Sequence, residues 1–554
     1  MKCHVYSIRL FTAKKGSSMN RHYRKLGILC AHTVIGAALA ADAALVQALS
    51  FDFGEDDTWT LDWDTNVAYT AQVRVAKPDS DQFRYRDTGN LEADSRAYAV
   101  LINANDGDNN FKRGSATQNK VSFVTELDLS HGNFGLFARA RGYYDDVYDQ
   151  NTQQSKEDYL TYNNSKVFPN GDADFREFPP GTVKEHRDRL EMLDYFLYGS
   201  SSLPGGRLLN VRLGSQVINW GEATFTAGIN GLQNRADLIA RNTPGVEVKE
   251  ILLPTGALYG QVDIVEDLTL EAYYQYEWKK TELNGVGSYF SDRDFLGPGA
   301  VNFLIPVGPN NITAIPRTAD EAASDSGQWG AALHWIVLGD TDIGLYYIKA
   351  HSKAPAYQVN FPTGGGLPES YTIRYFEDIQ GYAASFTTVL GDTNIQGEVS
   401  YKTDVPVVLA SGDPVEGNLA SYQLGGSYVF EPTRFWDDAS LVFELSGAYV
   451  TSEDSAELLY DDHGTVINLR FEPAYLNLMQ GLDLKVPIFI RRGLDGNILE
   501  SEMVEDSSAV NITFQFIYLN NFITSFGYTN FFDGGENTYI NDRDNISLSM
   551  SYSF

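Results

Sequence analysis

Residues Asn545 to Phe554 set Ile546, Leu548, Met550, Tyr552 and Phe554 in unbroken alternation against Asn545, Ser547, Ser549, Ser551 and Ser553. A strict period of two requires an extended strand with two unlike faces, one of large apolar groups and one of small hydroxyls. The same division appears near the other end. Trp59, Leu61, Trp63, Val67, Tyr69 and Val73 alternate with Thr60, Asp62, Asp64, Asn66 and Gln72. If these two strands pair, the sheet closes into a barrel with no exposed edge; several stacked sandwiches are the alternative source of such alternation.

Between them the pattern repeats. Strands are expected near 121–129, 134–144, 191–199, 207–218, 256–265, 268–278, 328–336, 342–351, 377–390, 393–403, 419–430, 439–451, 465–478, 482–490, 507–518 and 521–531. Their connections alternate long and short, as in transmembrane barrels with tight turns at one rim and long loops at the other. The count is eighteen antiparallel strands, with sixteen the alternative. Sandwiches explain the alternation but not the asymmetry of the connections. Outside residues 26–45 no stretch approaches the roughly 20 apolar residues of a spanning helix, so a membrane location demands a barrel. Aromatic content of 13%, with 33 Tyr and 31 Phe, suits half-buried strands.

The first strand starts within a dozen residues of a leader. Arg21, Arg24 and Lys25 precede the apolar run from Leu26 to Leu45, and small residues around Ala38–Ala40 and Val46–Ala48 offer cleavage sites. Residues 1–48 therefore read as a secretory signal, with Met19 as a second candidate start, and 49–554 as one barrel domain. Both cysteines, Cys3 and Cys30, lie in that leader, so the mature chain is expected to hold together without disulfides. Removing the leader takes seven Lys/Arg and one acid from totals of 42 and 73, leaving 35 against 72. That acidity argues against nucleic acid as a partner. It suits acidic outer loops at a lipopolysaccharide surface bridged by divalent cations, and equally a plain solvated surface.

No catalytic constellation is expected. The mature histidines are His131, His186, His334, His351 and His463, of which His334 alone falls on a clear polar face; neither a Gly-x-Ser-x-Gly elbow nor a His-Glu-x-x-His motif occurs. No cofactor is expected. Asp106, Asp108 and Asn110 alternate oxygen ligands as a calcium loop does, but the later Gly and Glu of an EF-hand are out of register, and a plain polar loop is the favoured reading.

One loop is too apolar for solvent. Residues 219–255 contain Trp220, Phe225, Ile229, Leu232, Ala236, Leu238, Ile239 and Ala240, with Asn234, Arg235 and Asp237 interspersed. A short helix folded into the lumen is expected, the alternative being a loop packed over the barrel mouth or against a neighbouring subunit. Folded inward, Trp220, Phe225, Ile229 and Leu232 would present an apolar surface at a constriction. Arg139, Arg141, Arg212, Glu271, Glu277, Glu398 and Lys402 would face them from the wall. Such a pairing suits amphipathic solutes.

The stretches Phe51–Asp64, Gly107–Phe111, Thr125–Leu129, Ser215–Glu222, Val399–Pro406 and Ser547–Phe554 resemble the large proteobacterial outer-membrane family catalogued as domain of unknown function 1302. The alternating, aromatic end at Leu548, Met550, Tyr552 and Phe554 also resembles the sorting signal of outer-membrane barrels. The family resemblance implies a single outer-membrane barrel, found in the company of systems that handle hydrophobic compounds such as steroids and aromatics. It brings no functional residues with it. The implied partners are outer-membrane lipid and lipopolysaccharide, the barrel-assembly machinery, small hydrophobic solutes, periplasmic lipid-carrier-like proteins and inner-membrane exporters. The expected function is a channel for hydrophobic or amphipathic small molecules, with a general diffusion porin and a structural or surface-interaction barrel as alternatives.

Overall fold

The computed structural model describes residues 49–54, 58–79, 102–154, 176–308, 311–453, 457–498, 503–534 and 538–554; the leader lies outside them. Eighteen barrel strands follow in chain order. They are β1 (Trp59–Arg74), β2 (Ala116–His131), β3 (Phe134–Asp145), β4 (Asp188–Ser202), β5 (Leu208–Gln216), β6 (Thr255–Val265), β7 (Leu268–Gln275), β8 (Gln328–Val337) and β9 (Thr341–Ala350). Next come β10 (Ile379–Leu390), β11 (Thr393–Val408), β12 (Pro414–Phe430), β13 (Asp438–Val450) and β14 (His463–Met479). Then β15 (Leu482–Lys485 continuing as Ile488–Asp495), β16 (Ser508–Tyr518), β17 (Phe522–Phe532) and β18 (Asn545–Ser553) complete the wall.

Each strand pairs antiparallel with its sequence neighbour, and β1 pairs with β18 from Asn66↔Ser553 to Arg74↔Asn545, closing the sheet. Beyond β18 the ladder is extended by Phe554, whose N–H donates to Thr65 O at 2.9 Å while Thr65 N–H donates back at 2.7 Å. A short strand at Leu49–Phe53 then pairs with the remaining end of β1, from Trp63 to Trp59. The sequence suggests only a short acidic lead-in at Asp52–Asp57, and the alternation of Leu49–Phe53 is too brief to separate from a tail. Met550 and Leu548 pair with Tyr69 and Ala71, and Tyr552 with Val67, so both faces of the closing strand match those of β1.

Several boundaries differ from expectation, most consequentially those between β11 and β12. Strands β11 and β12 run on to Val408 and from Pro414, leaving a tight connection where a long loop is expected. The mixed composition of residues 404–418 hides this, although Val405 and Val407 are buried. Leu197, Leu213, Leu345, Val399, Leu424 and Phe526 all point outward and are exposed, forming a band suited to lipid. Among the described residues no helix is long and apolar enough to cross a membrane; the wall itself supplies paired backbone groups throughout.

The packed core lies inside the barrel. Ile218, Trp220, Ile229 and Leu232 cluster with Tyr259, Tyr273, Tyr346, Ile348 and Ile379 of the wall. Over the long-loop rim, Arg74 and Arg543 are fully buried and share Asp108 and Asp542, with Tyr289 stacked beside both guanidinium groups.

Candidate constriction site

The connection from β5 to β6, residues 217–254, enters the lumen and touches the wall on both sides. It is not one helix. A 3-10 turn at Ile229–Leu232, a two-residue bridge of Arg235–Ala236 with Leu252–Leu253, and single helical turns at Leu238–Arg241 and Val248–Ile251 replace it. Gly228, Gly231 and the capping Asp237 interrupt any longer run, and Asp237 accepts from the N–H groups of Ile239 and Ala240.

The first half lies on strands β7–β15. Trp220 Nε1 donates to Glu271 at 2.6 Å, and its ring sits 5.0 Å from that of Tyr273. Glu398 accepts the backbone N–H of Glu222 at 3.1 Å and of Ile229 at 2.7 Å. Glu444 accepts those of Thr224, Phe225 and Thr226 at 2.6, 3.1 and 2.8 Å. Lys402 donates to Gly228 O at 2.8 Å, and Lys353, in the β9–β10 connection, to Leu232 O at 2.7 Å. These polar groups satisfy loop backbone that would otherwise be stranded away from water. Phe225 ends this half against Phe489 of β15, with ring centroids 5.4 Å apart.

Close approach here depends on missing side chains. A Cβ on Gly381 would lie 2.5 Å from Leu232 and 2.8 Å from Ile229, and one on Gly330 would lie 2.9 Å from the Trp220 ring. Trp220, Ile229 and Leu232 are accordingly buried against the wall, with at most 8% of their surface exposed. The expectation of an apolar constriction is corrected for these three. Packing them on Ile348 and Ile379 removes apolar area from water, at about 25 cal/mol per Å², whereas a lumen-facing arrangement leaves it wet. Phe225 is the member that stays partly open.

The second half lies on β18 and β1–β4. Arg141 binds Asp237, Glu191 at 2.7 Å and the Glu250 carbonyl at 2.9 Å. Arg235 pairs with Glu282 at 3.0 Å, and Glu282 also takes Arg189 at 2.8 Å. Lys249 reaches Glu126 at 2.8 Å, which in turn accepts from Arg139 at 3.0 Å; Arg139 completes its pairing with Asp194 at 2.6 Å. Gln118 donates to Asn242 O and Thr70 to Pro244 O.

The remaining expected residues stand apart. Arg212 lies over the Tyr259 ring at 4.3 Å. Glu277 sits past the end of β7, accepting from Gly256 N–H and pairing with Lys279. Asn234 donates to Ile218 O within the loop. Asp106, Asp108 and Asn110 form a buried helical turn in which Asp108 is held by two guanidinium groups and Asn110 donates to Gly287 O. Among the described residues no group of three or more His, Cys, Asp or Glu could hold a metal ion. Sequence reasoning missed Glu444, Lys353, Lys249 and Glu126. Glu444 and Glu126 occupy polar-face positions that period two could have flagged.

An 18-stranded antiparallel barrel with a loop folded across its lumen defines the class of this protein. The chain belongs to the family described as protein of unknown function (DUF1302), whose model matches residues 28–554. No curated protein matches the sequence. Among solved structures it is similar to OccAB1 of Acinetobacter baumannii, at 9% identity over 92% of this chain and 99% of that one, with a TM-score of 0.44. It is also similar to OccK3 (OpdO) of Pseudomonas aeruginosa, at 10% identity, 91% and 97% coverage and a TM-score of 0.42. A third is the outer membrane channel DcaP of Acinetobacter baumannii, at 8% identity, 91% and 99% coverage and a TM-score of 0.37.

Proposed function

We propose that this protein is an outer-membrane channel, and not a catalyst, for hydrophobic or amphipathic small molecules such as aromatic, fatty or steroid-like compounds. The observation that carries this reading is the Phe225–Phe489 ring pair, formed between the loop and the wall where the charged groups are already engaged with one another. A solute with an apolar face gains contact there, while a fully hydrated ion gains none. The outward apolar band supports residence in lipid, beside lipopolysaccharide, after insertion by the barrel-assembly machinery. Periplasmic lipid-carrier-like proteins and inner-membrane exporters remain the partners this reading entails.

Liposome swelling tests it. Purified protein should admit amphipathic acids such as cholate faster than sugars of similar size, and Phe225→Ala should reduce that preference. Equal rates for both classes would favour a general porin, a reading to which the ion pairs of Arg139 and Arg141 lend themselves.

A further inference from the structure

Strands β16, β17 and β18 carry no ionisable side chain at any inward position, and among the described strands no other run of three does so. Their inward phase follows from register. Gln515 pairs with Ser525, Ser525 with Ser549, and Ser549 with Thr70 of β1, giving one neutral row across four strands. Lys485 and Lys120 stand at its two ends. Elsewhere in the lumen the charged groups are largely spent on one another or on the loop. Within the described chain Gln515, Ser525, Ser547, Ser549 and Ser551 make no side-chain hydrogen bond; Ser525 and Ser549 are 9% and 8% exposed, and no polar side-chain atom of the five is sealed from solvent.

The loop meets this face only at its β18 edge and leaves β16 and β17 uncovered. Its first half stops at Phe489 on β15, and its second reaches the wall at Gly245, where an added Cβ would lie 2.7 Å from Ser549 Oγ. Among the described residues no hydrogen bond joins the loop to β16 or β17. One row further toward the short turns, Ile517 pairs with Ile523. A grid of unengaged hydroxyls, spaced about 4.8 Å across strands and about 6.8 Å along them, is thus bordered by aromatic and aliphatic side chains.

We propose that solutes pass along this β16–β18 face, and that it selects amphiphiles with hydroxyls along one edge. The hydroxyl edge exchanges water for Gln515, Ser525 and Ser549, whose groups both donate and accept. The apolar body lies on Phe225 and Phe489, then on Ile517 and Ile523. This rests on the channel reading and narrows its substrate class.

The test uses arbutin, a neutral phenolic glucoside, in liposomes holding the full-length protein. Wild type should admit arbutin, and the double variant Ser525→Ala/Ser549→Ala should slow it about thirtyfold, the loss of two hydrogen bonds of about 1 kcal/mol each. Potassium conductance should change less than about twofold over the same pair. Ser525→Cys, blocked after insertion with a neutral methanethiosulfonate, gives the same readout without depending on folding of the double variant. Unchanged arbutin flux, or a fall in potassium conductance as large as that in arbutin, would overturn the proposal. Failure of the amphiphile-channel reading looks different: cholate and sugars would then enter wild type at equal rates, as through a general porin.

Discussion

Thr226 and Glu444 stand 218 residues apart, and the backbone N–H of the first donates to the carboxylate of the second at 2.8 Å. Two further N–H groups, those of Thr224 and Phe225, converge on the same carboxylate. Hydrogen bonds to a charged group contribute about 1.5–3 kcal/mol each. Glu444→Ala should therefore free the loop's tip while the wall, held by its own ladder, still closes. Single-channel recordings should show higher mean conductance and more open-state noise. Glu444→Gln keeps one acceptor oxygen and should fall between the two.

Gly381 tests the apolar side of the same attachment. Valine there would drive into Leu232 and Ile229, where no space exists. Overpacking of this kind costs about 1–3 kcal/mol. The loop, and not the wall, should yield, so Gly381→Val should raise sugar permeation while heat-modifiable gel mobility stays that of a closed barrel. Normal permeation would show that the loop is pinned elsewhere.

Lys353 makes the loop's attachment sensitive to pH. Burial pushes its ammonium down to about 7, while it donates to the Leu232 and His351 carbonyls. Its folded pKa is below the value of 10.5 expected unfolded, so between pH 7 and 10.5 the unfolded chain binds more protons. Stability therefore rises with pH across that window and is lowest below pH 7, by an amount on the order of 5 kcal/mol over the full span. Lys353→Met should flatten this dependence in thermal melts at pH 6 and pH 9. An equally steep profile in the variant would show that other groups set it.

At the closing seam Phe554 and Thr65 exchange both backbone bonds, and the Phe554 ring stacks 5.9 Å from Tyr552. Phe554→Ala should lower the yield of assembled barrel in membranes while leaving the conductance of the inserted fraction unchanged. A changed conductance would place that residue in the pore.

Much of the wall was legible because period two survives wherever one face meets lipid and the other water. All eighteen strands follow from it, and so do the inward positions of Arg139, Arg141, Glu398 and Lys402. The loop announced itself by composition alone. Composition says that Trp220, Ile229 and Leu232 need cover, but in an irregular segment no period says on which side, and these three turn toward the wall. Lys353 was hidden for a different reason: its acceptor, Leu232 O, belongs to backbone 121 residues away, and side-chain patterns carry no trace of a carbonyl's position.

The loop's two halves meet separate parts of the wall, with Thr226 on β13 and Pro244 on β1, six strands apart around the barrel. A hollow cylinder under lateral pressure deforms most readily by flattening into an oval, since that bends the sheet without stretching its ladder. A segment anchored at both ends of a chord resists that deformation as a strut does in a hoop. The constriction loop is thus also what keeps this cross-section round, and cutting it at Arg241 should soften the whole barrel before it widens the pore.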